Sequence, residues 1–413
     1  MQIYQVGGAV RDKLLNRPCQ DKDFVVIGAT EAEMLEQGFK KVGKSFPVFL
    51  HPETGEEYAL ARKEIKTGRG HRDFKFVFTP DISLKEDSCR RDFTCNAIYE
   101  DTETGEIIDY HNGCEDIKNR ILRHISKHFA EDPLRVLRMC RFAAELGFSV
   151  APETMALCQK MVQKGAIRHL SRDRIWQELA KALKSSSFYR FIETARTCGA
   201  LKEILPEVEQ LWSIPERTDY HPEGNSGAHT MLALKAAQTG DSFVNFTVLL
   251  HDIGKTKTNP DLWPSHRGHD KLGAELIKKI ARRIKAPAAY AEFASFTAAN
   301  HMLYHRPLQD ICKELAEVAV TLAKQEKGDY FRRYTEVLKA DMQGRDKADF
   351  SDEFKEFAAF ETYLKRLTEK ARMHSAAAMP DFASLLAKVQ AGTMPPSGLK
   401  EAYVAFILNQ TPL

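Results

Sequence analysis

Apolar residues in the first 125 or so positions come in short runs broken by Gly, Pro, Asn or Asp. Ile3-Tyr4-Gln5-Val6, Phe24-Val25-Val26-Ile27, Val48-Phe49-Leu50, Glu57-Tyr58-Ala59-Leu60 and Ile107-Ile108-Asp109-Tyr110 each predict a strand. From about His128 the period changes. Leu134, Leu137, Met139 and Phe142, then Ile175, Leu179 and Leu183, recur at helical spacing, and the helical pattern persists nearly to the end. The expected fold class is therefore α+β, a mixed head followed by a long all-α remainder. Pro and Gly gather at Ile214-Pro215 and between His221 and Gly227, which reads as a linker between helical units. A second loop, rich in Pro and His, spans Asn259 to Gly268. The run from Arg345 to Glu353 is densely charged and reads as a solvated connection.

Length and composition narrow the class. A chain of 413 residues exceeds one ordinary core and implies two to four domains. With 43% hydrophobic and 28% charged residues it should be globular rather than disordered. Its net charge is only +3, so a nucleic-acid partner would have to meet positive charge concentrated on one surface. The eight cysteines form no C-x-x-C pair, so neither a disulfide framework nor a structural zinc site is suggested, and a reducing compartment fits best. Met1 to Val10 has no basic leader and reads as a strand rather than a signal peptide. No apolar run reaches the ~18 residues of a membrane span. A cytoplasmic protein with no membrane partner is expected.

Several motifs carry candidate chemistry. Gly7-Gly8-Ala9-Val10-Arg11-Asp12 follows the first strand and opens a helix. There the glycines admit close backbone approach, and helix N–H groups with Arg11 suit a phosphate. Asp21 and Asp23 in D-K-D, two apart at the start of a strand, present both carboxylates to one side, a hard-oxygen pair suited to Mg²⁺. Arg90 and Arg91, beside Asp92, suit a triphosphate or the priming strand's backbone. Asp132-Pro133 is a helix start with Asp as cap, and Arg135, Arg138 and Arg141 share one broad stripe of the helix that follows. Each motif also has a plain structural reading: a tight turn, a solvated turn, a surface ion pair, a solvated basic face.

The order G-G-A-V-R-D, D-K-D, R-R-D-F-T-x-N-A, E-D-P-L-R-V-L-R closely resembles class II bacterial tRNA nucleotidyltransferases, the CCA-adding enzymes. Glu57-Tyr58-Ala59-Leu60-Ala61-Arg62 and Asp109-Tyr110-His111-Asn112-Gly113 match their head domain too. The resemblance runs from residue 1 to about residue 345. It implies a polymerase-β-like nucleotidyltransferase head with a mixed sheet at 1–125 and a helical neck and body at 126–220. Asp21 and Asp23 would bind the catalytic Mg²⁺, with Glu57 assisting. Gly8, Arg11 and Arg91 would contact the incoming triphosphate, and Arg138 and Arg141 would line the nucleotide pocket. Asp132 and Arg135 would act as a protein template, supported by Ser171-Arg172-Asp173-Arg174-Ile175-Trp176-Gln177-Glu178. Cytosine and adenine both offer an amine donor beside a ring-nitrogen acceptor, which a carboxylate and a guanidinium complement. Uracil and guanine reverse that order. The implied partners are ATP, CTP and the acceptor arm and 3′ end of tRNA, for a monomer or homodimer.

His229, His251-Asp252 and Asp341 follow the order of an HD-superfamily metal site, with His266, His269, His301 and His305 as further lining or ligand candidates. This resembles the HD domain fused to the CCA-adding enzymes of many proteobacteria. It implies an α-helical HD domain at 227–345, a helical tail at 346–413, and a divalent transition metal such as Ni²⁺. The implied activities are phosphatase, 2′-nucleotidase and 2′,3′-cyclic phosphodiesterase. One departure is Met302, where relatives carry Asp after His301; a lost carboxylate would weaken the site. The rival readings are a poly(A) polymerase and an enzyme adding only CC or only A, the latter distinguished by a flexible loop expected at Glu64 to Asp73 with Gly68 and Gly70 as hinges. A third is a non-catalytic RNA-binding protein, which Asp21 and Asp23 argue against.

Overall fold

The short apolar runs pair into one mixed sheet. The computed structural model describes residues 1–19, 22–42, 48–66, 74–324 and 329–413, so Asp21 lies outside the described residues. The strands are β1 (Gln2–Val6), β2 (Asp23–Ile27), β3 (Lys40–Val42), β4 (Val48–Leu50), β5 (Glu57–Leu60), β6 (Lys63–Lys66), β7 (Phe74–Val77), β8 (Ile98–Asp101) and β9 (Ile107–Asp109). Seven of them run in the order β3-β4-β5-β2-β1-β8-β9, with β2 and β5 parallel and the other pairs antiparallel. Strands β6 and β7 form a separate antiparallel pair. Glu64 therefore belongs to a paired strand rather than to the flexible loop expected there, and residues 67–73 lie outside the described residues.

Alternation along β2 explains why this sheet is buried on both faces. Phe24 and Val26 pack with Met34, Phe49, Tyr58 and Leu60, while Val25 packs with Tyr4, Val6, Ile82 and Tyr99 on the other side. Phe24 and Tyr58 stack at 4.5 Å. Burying each such ring stabilises the head by about 2 kcal/mol.

Beyond the head the chain is helical, apart from the short parallel pair Ile121–Leu122 and Ser149–Val150. Leu134, Leu137, Met139, Phe142, Ile175 and Leu179 are buried, as their spacing predicts. The chain divides into two compact units: Met1–Ala182 with Arg190–Ile204, and Leu183–Tyr189 with Leu205–Leu413. In the second unit the expected linker ends early. Asn225 caps Ser226–Ala237 by accepting from the Ala228 amide at 2.9 Å, and Gly227 sits inside that helix, where a Cβ would fall 2.5 Å from the Trp212 ring. The charged run from Arg345 is likewise only partly a connection, because Glu353 lies in the first turn of Ser351–Met373 and pairs with Arg345 and Lys347. The last helices share one core with Leu308–Ala323: Leu315 and Leu322 pack with Phe357, Leu364, Tyr403 and Ile407. All eight cysteines are free. Among the described residues no helix is long and apolar enough to cross a membrane.

Candidate functional site

Strand register builds the head site. Glu57, Asp23, Val6 and Tyr99 are successive partners across β5, β2, β1 and β8. Directly opposed residues share a face, so the two exposed carboxylates stand in one row with the Tyr99 ring. The chain turns immediately after Val6. Gly7 has φ +79° and ψ −131°, a conformation that suits glycine, and Gly8 opens the helix Gly8–Leu14. A Cβ on Gly7 would meet Arg91 Nη1 at 3.8 Å, so Arg91 borders the turn.

Arg91 is held in place. Its Nε donates to the Tyr99 hydroxyl at 3.1 Å and its Nη2 to Asp87 at 3.1 Å, while Tyr99 donates to Asp87 at 2.9 Å. Burial alone would raise the Asp87 pKa, but the Arg90 and Arg91 guanidinium groups hold it well below the carboxylate range. Arg11 donates from Nη1 to Asn96 at 2.7 Å and from Nε to Asp12 at 2.9 Å. Gly8, Arg11, Arg91 and Asp23 thus surround one turn, with Glu57 as the cross-strand partner of Asp23.

A buried polar chain continues into the neck helix Leu134–Leu146. Asn96 donates to Asp92 at 3.1 Å, and Arg138 donates to the other Asp92 oxygen from Nε at 2.7 Å. Burial opposes ionisation of Asp92, yet Arg138 and Asn96 bring its pKa to about 2. Arg11, Arg138 and Arg141 all face the Phe142 ring, at 5.3, 5.3 and 4.0 Å from its centroid. Arg141 is buried between Glu178 and Glu145, each at 2.6 Å, so the basic stripe is no solvated face. Asp132 is extended (φ −113°) and accepts from the Leu134 amide at 3.0 Å, but the helix begins one residue later than expected, with Pro133 rather than Asp132 in the cap position. Asp132 also takes both terminal nitrogens of Arg174, at 3.3 and 2.8 Å, from the Ser171–Glu178 motif. Arg135 donates to the His128 and Arg90 carbonyls.

The second unit assembles a separate cluster. His251, His269 and His301 each direct Nδ1 at the carbonyl three residues earlier, on Val248, His266 and Ala298, at 2.8, 2.7 and 2.7 Å. His229 directs Nδ1 at the Gly344 carbonyl, at 3.0 Å. All four Nε2 atoms are left to converge. His229 and His251 lie 3.3 Å apart there, with Asp341 Oδ1 at 2.9 and 3.4 Å and Asp252 Oδ2 at 3.8 and 3.4 Å. His269 and His301, also 3.3 Å apart, meet the other Asp252 oxygen at 3.3 and 3.5 Å. Two buried ligand groups therefore share one carboxylate, a donor set suited to divalent transition metals.

Electrostatics and packing reinforce this arrangement. Burial disfavours charge on His229, but hydrogen bonds to Asp341 and Glu223 raise its pKa to about 9, so a metal would enter by displacing protons. Lys255 bridges Asp252 and Glu216 at 2.8 and 2.7 Å. A Cβ on Gly254 would fall 1.9 Å from the His269 carbonyl, so only glycine lets the H-D-I-G-K turn pass this closely. The lesser candidates separate. His269 and His301 join the cluster, whereas His266 spends both nitrogens on Thr258 and the Pro215 carbonyl. His305 is exposed and lies tilted against Tyr304, with ring centroids 3.9 Å apart, outside both ligand groups. Met302 is 39% exposed and lines the adjoining cavity, and both ligand groups close without a carboxylate at that position. Sequence reasoning missed the roles of Asp87, Tyr99, Asn96 and Phe142. Of their positions, only Asn96 stood within a quoted motif.

The Multifunctional CCA protein of Teredinibacter turnerae is 46% identical over 350 residues, covering 84% of this chain and 85% of its own length. This chain belongs to the multifunctional CCA protein family. The Multifunctional CCA protein of Neisseria meningitidis serogroup C is 47% identical over 347 residues, 84% of this chain and 83% of that one. Residues 3–123 match the Poly A polymerase head domain, 147–211 the probable RNA and SrmB-binding site of polymerase A, and 228–338 the HD domain. Two solved structures share the fold of this family member. One is an apo CCA-adding enzyme, with TM-score 0.61, 18% identity, and coverage of 98% of this chain and 91% of that one. The other is the Bacillus stearothermophilus CCA-adding enzyme in complex with CTP, with TM-score 0.56, 23% identity, and coverage of 99% and 93%. The protein is an enzyme, a nucleotidyltransferase head joined to an HD domain.

Proposed function

We propose that this multifunctional CCA protein completes the 3′ end of tRNA from CTP and ATP without a nucleic-acid template, and that its HD domain hydrolyses phosphate esters. The observation that carries the first half is the row Glu57, Asp23, Val6, Tyr99, which sets carboxylates and Arg91 around the Gly7-Gly8 turn. Asp21 and Asp23 would hold Mg²⁺, with Glu57 the cross-strand neighbour of Asp23. The bound ions supply charge stabilisation at the reacting phosphate and the departing pyrophosphate. Gly8, Arg11 and Arg91 receive the triphosphate, Arg91 already oriented by Asp87 and Tyr99. Arg138 and Arg141 form the neck side of the pocket around Phe142. Asp132 accepts from the exocyclic amine of the incoming base and Arg135 donates to its ring nitrogen, while Arg174 aims Asp132. The domain limits follow: head 1–125, neck and body 126–220, HD domain 227–345, helical tail 346–413.

Solved structures of this fold hold CTP, or a primer tRNA with an incoming ATP analog, which supports the same partners for this chain. In the HD domain, His229, His251, Asp252 and Asp341 would hold one divalent transition metal, with Ni²⁺ a candidate. His269 and His301 with the second Asp252 oxygen offer another position. Held there, a divalent metal would lower the pKa of water enough for attack on a phosphate ester at neutral pH. The phosphatase, 2′-nucleotidase and 2′,3′-cyclic phosphodiesterase activities implied by the resemblance are all hydrolyses of phosphate esters that such a site would serve. A poly(A) polymerase is favoured by the head-domain match alone, and the HD domain stands against it.

The template pair is tested by Asp132→Ala. We expect incorporation of UTP and GTP to rise relative to CTP and ATP by roughly 10-fold, the worth of one bidentate base contact. Unchanged selectivity in steady-state incorporation would refute the assignment.

A further inference from the structure

The cavity beside the HD ligands encloses about 570 Å³ and has Asp252, His269, His301 and Asp341 in its wall. Lys255, Arg217, Arg267 and Arg345 line it as well, as an anionic ester requires. Two tyrosines line it too: Tyr304 donates to Asp341 at 3.3 Å, whereas Tyr220 is 59% exposed and phosphate chemistry gives no reason for its ring there. Scattered exposed aromatics are ordinary, but this one stands in a concave site among cations.

The ring is also held. The Arg217 guanidinium lies 4.7 Å from the Tyr220 centroid, and Asp219 anchors Arg217 at 3.1 and 2.6 Å. The Tyr220 and His221 amides both donate to the Arg217 carbonyl, at 3.1 and 2.7 Å, closing a tight turn. One residue on, the His221 ring packs edge-on against His229 at 4.9 Å and bonds Glu223 at 2.8 Å. The turn that carries Tyr220 is thus fastened to a metal ligand. A phosphate held at the ligand cluster would leave the remainder of its ester to fill the cavity that Tyr220 lines. A planar base stacks on a phenol face whatever its hydrogen-bonding edge.

We propose that Tyr220, stiffened by Arg217, is the residue that sets this site's preference for nucleotides over small aliphatic phosphate esters, by stacking on a nucleobase, free or at an RNA 3′ end. This rests on the phosphoesterase reading of the same site.

The test compares 2′-AMP with β-glycerophosphate as substrates of the full-length, metal-loaded protein. Tyr220→Ala should lower the preference for 2′-AMP, as the ratio of kcat/KM values, by about 10-fold, mainly through KM, and Tyr220→Phe should restore it. An unchanged preference in Tyr220→Ala would overturn the platform. Hydrolysis of neither ester by the parent protein would overturn the phosphoesterase reading instead, and a second measurement then decides the platform alone. In Tyr220→Trp without added metal, 2′-AMP should quench the added indole fluorescence saturably while β-glycerophosphate does not. Equal response to both would overturn the proposal. Faster hydrolysis of tRNA ending in a 2′,3′-cyclic phosphate than of 2′,3′-cyclic AMP would support it with the RNA end as source, and the reverse order would support it with the free nucleotide.

Discussion

Asp92 is a carboxylate that its neighbours keep ionised inside the protein. Arg138 and Asn96 hold its pKa at about 2, against an ordinary 3.8. A depressed folded-state value means that the ionised form stabilises the fold. That contribution, about 2 kcal/mol, is complete above pH 4 and disappears as pH falls through 2. Asp92→Asn should therefore lower stability by about 2 kcal/mol at pH 7, with the deficit roughly halved at pH 3, as read by urea unfolding. A deficit constant over that range would contradict the pairing. Asp23→Ala should cut nucleotide addition by roughly 100-fold or more while tRNA binding, followed by gel shift, is largely retained. Unchanged incorporation would sink the metal-site role of Asp23. At this scale residue type and order singled out Asp23, the arginines and the HD-domain His and Asp side chains that the structure brings together. Tyr99 and Asp87 were not, because strand pairing and a short helix, Leu84–Ser88, bring them to Arg91. Phe142 read as a core residue, and only its three arginine neighbours reveal a second part.

Among elements, the five strands anticipated from apolar runs are all present, within a residue at each end. Ile98–Asp101 escaped because only its first two residues are apolar, and Lys40–Val42 because it is an exposed edge with one apolar side chain. The H-D-I-G-K turn has a steric requirement that no periodicity discloses. Gly254 passes so close to His269 that a methyl group cannot fit. Gly254→Ala should force that turn away from His269–Ile284, destabilise the second unit by at least about 2 kcal/mol and strip bound metal. Elemental analysis of the purified variant checks this. Full metal content would show that the close approach is dispensable.

Across the whole molecule, the change of hydrophobic period near His128 marks where the mixed sheet gives way to helices, inside the first compact unit, whereas the division between the units falls within the helical part and left no such mark. The tail's contribution was harder to read. Its apolar residues gave only helical spacing, whereas Phe357, Leu364, Tyr403 and Ile407 complete a core with Leu308–Ala323. The central claim is that one head site, without a nucleic-acid template, builds the tRNA terminus. It is tested most directly by nucleotide incorporation on a tRNA lacking its 3′ CCA, with CTP alone, ATP alone and both together. The account predicts two cytidines from CTP and one adenosine after them when both nucleotides are present. A run of adenosines would contradict it in favour of a poly(A) polymerase, and arrest after two cytidines would make the protein half of a split system.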